Sequence, residues 1–137
     1  MIAITIDCGA EAVGGQNDNF VNSVVDYLNV NELSLSHILV THYHYDHLGA
    51  VPALLKALTA DKVEGCIIAK KLYDHPWEKE VFDQIKGFTI KDLSDGDIIE
   101  SDGIKISSVF TPGHCPDHMC YLLQPQGAES HVLFSGD

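Results

Sequence analysis

Thr41-His42-Tyr43-His44-Tyr45-Asp46-His47-Leu48-Gly49 sets three imidazoles and a carboxylate within six residues, directly after the apolar run His37-Ile38-Leu39-Val40-Thr41. A short, continuous apolar run is what a strand covered on both faces requires. At an extended strand end His42 and His44 point to the same side, because side chains alternate with a period of two. Asp46 and His47 fall where the chain turns into the next helix. Two imidazoles suit one metal position, and the carboxylate with the third imidazole suits another. A nitrogen-rich set without thiolate fits zinc or another borderline first-row metal.

Outward from this stretch the periodicity alternates between strand and helix. Ile2 to Asp7 reads as a strand ending at Cys8-Gly9. A polar, glycine-containing loop leads to Asn19–Val30, where Phe20, Val24, Tyr27 and Leu28 recur at helical spacing, with Asp18 or Asn19 as cap. After the histidine-rich loop, Leu48 to Leu58 is expected to be one helix with Pro52 in its first turns. Gly65 to Ala69 is a further buried strand, and within Lys70–Lys86 a short helix turns Trp77 and Phe82 inward. From Phe88 onward the texture changes to short strands: Thr89-Ile90, Ile98-Ile99, Ile104–Phe110, Met119–Leu123 and Val132–Phe134. Asp95-Gly96-Asp97 and Asp102-Gly103 mark turns between them. The expected fold class is α/β, one domain over residues 1–137, with a β-α-β-α-β half followed by a mostly antiparallel half.

Two later clusters repeat the placement of polar groups at strand ends. Thr111-Pro112-Gly113-His114-Cys115-Pro116-Asp117-His118 follows Ile104–Phe110, and its Pro-Gly turn presents His114. A third imidazole from here completes the ligands of the first metal and leaves a position for water. His118 is either a supporting group behind the ligands or structural. Phe134-Ser135-Gly136-Asp137 is an apolar strand ending in a carboxylate, placed to bridge two metals. His37, His75 and His131 read as structural or solvated.

Composition narrows the function. Eight Lys and Arg against twenty Asp and Glu give a net charge of −12 over 137 residues. An acidic surface repels phosphate backbones and argues against nucleic-acid binding through a broad basic patch, although not against a phosphate held by bound metal. No stretch approaches the ~18 apolar residues of a membrane span. The N-terminal Met-Ile-Ala-Ile-Thr-Ile-Asp has no basic segment and reads as a strand rather than a signal peptide. Cys8, Cys66, Cys115 and Cys120 form no Cys-x-x-Cys pair, and free buried thiols in a reducing compartment are expected. Cys115 has no evident base partner and reads as structural.

His-x-His-x-Asp-His at 42–47, Thr-Pro-Gly-His at 111–114 and Ser-Gly-Asp at 135–137, each after a strand, resemble the metallo-β-lactamase-fold hydrolases. Gly113-His114-Cys115-Pro116-Asp117-His118-Met119 followed by Tyr121-Leu122-Leu123 looks most like the beta-lactamase-like protein 2 group, placed in the glyoxalase II family, whose members are endoribonucleases acting on single-stranded RNA. Ile6-Asp7-Cys8-Gly9 corresponds to the Ile-Asp-Thr-Gly that ends an early strand in such proteins. The resemblance implies an αββα layered sandwich and two zinc ions. His42, His44 and His114 would hold the first, Asp46 and His47 the second, and Asp137 would bridge them. Asp46 would also act catalytically, orienting the attacking water or taking its proton.

The resemblance further implies strands before Ile6-Asp7-Cys8-Gly9, a histidine beyond Ser-Gly-Asp and a second β-α half. These 137 residues hold none of them, so the N-terminal half to two-thirds of the fold, a fragment, is expected. The function implied is a zinc-dependent hydrolase cleaving single-stranded RNA. A glyoxalase II-like hydrolase of small thioesters comes second, and a catalytically incomplete metal-binding or regulatory fragment is the third reading. β-Lactam hydrolysis ranks lower. A flavodiiron role is disfavoured because that pattern normally carries glutamate where His44 stands. The mitochondrial matrix or the cytoplasm is the expected location, without membrane association, and nothing in the sequence sets an oligomeric state.

Overall fold

The computed structural model describes residues 1–10 and 18–137. Four strands, β1 (Ile2–Ile6), β2 (Ser34–Leu39), β3 (Ile67–Lys70) and β4 (Thr89–Asp92), lie side by side in that order, all parallel. Parallel neighbours need crossovers, and helices supply them. α1 (Asp18–Val30) joins β1 to β2; α2 (Tyr45–Leu48), α3 (Val51–Ala57) and α4 (Ala60–Val63) lie between β2 and β3; α5 (Pro76–Asp83) leads to β4. A second sheet follows as an antiparallel meander of β5 (Ile98–Ser101), β6 (Ile104–Phe110), β7 (Met119–Gln124) and β8 (Val132–Phe134).

Side-chain alternation divides the core in two. Ile38, Ile68 and Cys8 pack with Leu28, Val51, Leu54 and Val81 between the first sheet and the helices. Leu39 and Ala69 pack with Ile99, Ile106, Met119 and Tyr121 between the two sheets. Successive residues of β2 therefore enter different cores, which is why the run His37–Thr41 is apolar without a break. Among the described residues, the outer face of the second sheet is left exposed. Register places Ile98, Ser107, Leu122 and Leu133 in one row across that face, and Ile98 and Leu133 are exposed. The layers present are helices, sheet and sheet, part of an αββα sandwich within the α/β class.

Several boundaries differ from the sequence reading. The helix expected over 48–58 starts later: Leu48 is the last residue of α2, and α3 covers Val51–Ala57 with Pro52, which cannot donate to the Leu48 carbonyl, in its first turn. Lys70 closes β3, and the short helix expected within Lys70–Lys86 is α5, which starts at Pro76, after an extended His75. Thr89-Ile90 lies in β4, parallel to β3, and so belongs to the first sheet rather than to the antiparallel half. The Asp95-Gly96-Asp97 turn accordingly passes between sheets, whereas Asp102 and Gly103, both at positive φ (50° and 81°), close the β5–β6 hairpin. His37 sits within β2, which begins at Ser34, and α4 has no counterpart in the sequence reading. Asn19 lies inside α1, where its carbonyl accepts from Ser23 Oγ. The capping expected of Asp18 and most of the loop after Gly9 lie outside the described residues. All four cysteines are free and buried.

Candidate metal centre

The functional residues collect at one edge of the sandwich, beyond the C-terminal ends of the parallel strands, where open α/β sheets place their ligands. Thr41 is the hinge pin of this edge. Its N–H donates to Asp7 Oδ1 at 2.7 Å, just past β1, and its carbonyl accepts from Met119 N at 2.8 Å, at the start of β7. The two sheets are thereby joined one residue before His42.

Hydrogen bonding sets the tautomer of His42. Thr41 Oγ1 lies 2.9 Å from Asp7 Oδ2 and 2.8 Å from His42 Nδ1. A carboxylate only accepts, so the single hydroxyl proton goes to Asp7, and the hydroxyl oxygen must accept from His42 Nδ1–H. His42 Nε2 is left with a free lone pair. It is fully buried and has no hydrogen-bond partner. Burial foremost, then the neighbouring imidazoles of His47, His44, His118 and His114, pulls the His42 pKa down to about 4. An orphaned, neutral, inward-facing nitrogen is the form in which imidazole binds a metal.

Other donors converge on that atom. His44 Nδ1 lies 3.0 Å from His114 Nε2, and Asp137 Oδ2 lies 3.3 Å from His114 Nε2 and 3.9 Å from His42 Nε2. Ligand atoms of His42, His44, His114 and Asp137 all fall within 4.8 Å of one another. Around a tetrahedral ion with bonds of about 2.0–2.1 Å, such atoms stand roughly 3.3 Å apart. The set therefore fits a divalent metal with little adjustment.

A second set adjoins it. His47 donates Nδ1–H to Asp7 Oδ2 at 2.8 Å, which turns Nε2 toward Asp46 Oδ2 (3.6 Å) and Asp137 Oδ1 (3.4 Å). Burial lowers the His47 pKa, but the Asp7 hydrogen bond and charge, with Asp46 and Asp137, outweigh it and hold it above the ordinary value. Asp46, His47 and Asp137 offer three ligand atoms within 4.8 Å, so Asp137 is common to both sets. Beside them lies a hollow of about 460 Å³ lined by Asp7, Gly9, Phe20, Asp46, His47 and the 134–136 segment. The larger groove of about 550 Å³, between Pro52, Leu55, Gln84 and Phe88, is on the helix side, away from these ligands.

The structure thus brings together His42, His44, Asp46, His47, His114 and Asp137. His118 stands behind them, its ring 5.0 Å from that of His42 and its Nδ1 2.9 Å from Thr111 Oγ1. Tyr43 packs on His75 (4.4 Å between ring centres), Tyr73 (5.1 Å) and His44 (4.7 Å), forming an aromatic wall beside the first set. His75 thereby has a place next to the site, not only the structural or solvated role read from sequence. It also caps α5 through Trp77 N. Sequence reasoning assigned no role to Asp7, whose signals were a carboxylate at the end of an apolar strand and its place in Ile6-Asp7-Cys8-Gly9.

Known proteins share sequence and fold with this chain. Residues 4–137 match the family model of the metallo-beta-lactamase superfamily. The chain is 35% identical over 118 residues to the lactamase-like protein nscB of Aspergillus fumigatus, and 32% identical over 124 residues to the lactamase-like protein adaB of Aspergillus niger. These alignments cover 86% and 90% of the chain but only 30% and 33% of the relatives, so the chain spans about a third of their length. Among solved structures, the subclass B3 metallo-beta-lactamase BJP-1 of Bradyrhizobium japonicum superposes with a TM-score of 0.63 at 18% identity, over 96% of this chain and 51% of that one. A metallo-beta-lactamase of Cronobacter sakazakii gives 0.65 at 16% identity, over 96% and 51%. The fold, the matched residues and the relatives lead to one statement: this chain belongs to the metallo-β-lactamase superfamily.

Proposed function

We propose that the protein is a hydrolase that uses two zinc ions, held by His42, His44, His114 and Asp137 on one side and by Asp46, His47 and Asp137 on the other. The observation that carries this reading is the buried, partnerless Nε2 of His42 at the focus of the other donors. Bound zinc lowers the pKa of a water from ~15.7 to about 7 and stabilises the charge that develops on a carbonyl or phosphoryl oxygen. The protein supplies the geometry. Thr41 and Asp7 lock the two ring tautomers, and Asp46, exposed beside His47, takes the proton of the attacking water. The hollow beside Asp46 and His47 admits substrate.

The proposed reaction is phosphodiester cleavage in single-stranded RNA, on the Gly-His-Cys-Pro-Asp-His-Met resemblance. The wall of Tyr43, Tyr73 and His75 next to His44 supports it, since bases stack on such rings. A small thioester is the second reading, favoured by the net charge of −12, which repels a long polyanion.

Both are tested by incubating zinc-loaded protein with end-labelled single-stranded RNA and, separately, with a small acyl thioester. RNA cleavage abolished by chelator and restored by zinc is the expected result. Thioester turnover without RNA cleavage overturns the first reading in favour of the second. Zinc binding with neither activity leaves the metal centre and removes the hydrolase.

A further inference from the structure

Lys70 ends β3 with its side chain completely buried, a placement lysine adopts only when paired. Its Nζ meets the Glu78 carboxylate on α5, Asp117 Oδ2 at 2.8 Å and the Lys71 carbonyl. Glu78 and Asp117 are themselves 4% and 1% exposed. Their remaining oxygens are also engaged: Glu78 Oε2 accepts from Tyr73 N at 2.8 Å, and Asp117 Oδ1 accepts from the Cys115 thiol at 3.1 Å. The ammonium donates hydrogen bonds to Asp117 Oδ2 and the Lys71 carbonyl and forms an ion pair with Glu78 Oε1.

Such a network is a poor source of stability, because desolvation of buried charges offsets most of their attraction. What it fixes is position. Asp117 belongs to the loop between β6 and β7, three residues after His114 and one before His118. The loop base is closed by Thr111 N on the His118 carbonyl at 2.9 Å. Lys70 reaches the C-terminal arm of the loop, at Asp117, from the opposite sheet. The His114 ring is exposed, and its neighbours are the rings of His42, His44 and His118 and the Asp137 carboxylate, all of them members of the site or its support. An exposed ring of this kind takes its direction from the backbone that carries it.

We propose that Lys70 is a positioning residue for the metal centre: through Asp117 it holds the 111–118 loop so that His114 Nε2 faces His44 Nδ1 and His42 Nε2. The inference rests on the metal-centre reading above. Without the ammonium, Asp117 is a buried carboxylate lacking its counter-charge. It moves toward water and takes the loop with it. Supporting groups of this kind typically change metal affinity by about 10–100-fold.

The test is zinc affinity, measured by competition with a chromophoric chelator, in the unaltered protein, Lys70→Met and Asp117→Asn, each also made in a His114→Ala background. Circular dichroism and thermal unfolding without zinc report folding. The expected result is folded Lys70→Met and Asp117→Asn with zinc bound about 10–100-fold more weakly, and no further loss when either is added to His114→Ala. Where Lys70→Met does not fold, the near-isosteric Asp117→Asn carries the test. Failure of the unaltered protein to bind zinc overturns the metal-centre reading itself. Zinc bound normally by both folded variants overturns the positioning role alone, as does an undiminished loss in the His114→Ala background. Unfolding of both variants overturns it too, since the network then serves stability.

Discussion

Asp7 accepts the Nδ1–H of His47 at 2.8 Å, from a position forty residues earlier in the chain. The same carboxylate holds Thr41 through its N–H and hydroxyl, and Asp7 itself adopts a left-handed backbone with φ of 58°. One side chain therefore orients a ligand of each metal set, His47 directly and His42 through Thr41. Asp7→Ala is expected to weaken zinc binding about 10–100-fold. It also leaves the Thr41 N–H without its charged acceptor, at about 1.5–3 kcal/mol. Zinc titration and thermal unfolding of the metal-free variant check both parts; unchanged affinity counts against the orienting role.

His42→Ala removes the nitrogen at the focus of the first set. Elemental analysis after saturation and desalting is expected to show at least one zinc fewer per chain than the unaltered protein. His75→Ala, which alters the aromatic wall but no ligand, keeps the full complement. Equal loss in both variants contradicts the assignment.

The metal-free protein is expected to lose stability in mild acid. Burial holds the pKa values of His42, His118 and His37 below the ordinary range, with His42 at about 4. Between roughly pH 6.5 and 4 the unfolded chain then binds more protons than the folded one, so stability is full above pH 6.5 and falls through this window. His42 accounts for on the order of 3 kcal/mol of it. His47 has the opposite sign: its raised pKa contributes fully below about pH 6.5 and is lost as pH rises through its folded value, so it adds no slope in acid. Melting temperatures from pH 7.5 to 4 should fall more steeply for the unaltered protein than for His42→Gln, and parallel curves would sink the argument.

Gly136 is where the chain passes closest to the buried groups behind the ligands. A Cβ there would stand 2.7 Å from Thr41 Oγ1 and 2.9 Å from His118 Nε2, and its φ of 66° is strained for any L side chain. Thr41 and His118 are buried and cannot withdraw. Gly136→Ala is expected to cost about 1–3 kcal/mol and to shift Asp137 out of both ligand sets. Zinc affinity at least tenfold weaker is the outcome sought, by the same titration.

What the sequence made legible was whatever depends on short-range pattern. The candidate ligands in 42–47 and 111–114 could be read because strand ends and tight turns present their side chains in a way set by spacing. Lys70, Glu78 and Asp117 could not, since the pairing joins residues 47 positions apart and each looks like an ordinary surface charge in its own segment. β4 was misassigned for a related reason: a four-residue strand with mostly exposed side chains carries no periodic signal of which sheet it joins. Pro52 showed that the region is helical while concealing that the helix begins only at Val51.

Asp137 lies three residues past β8, a three-residue edge strand exposed along its length, and it is the one carboxylate common to both candidate ligand sets. On the two-zinc reading, the two positions therefore cannot fill independently. The first ion to bind immobilises a rotamer and a strand end that the second would otherwise have to order, while its charge opposes the second ion's arrival. Occupancy of the centre and order of the last strand are then a single linked equilibrium, and hydrogen exchange along β8 should report on metal loading without any substrate being present.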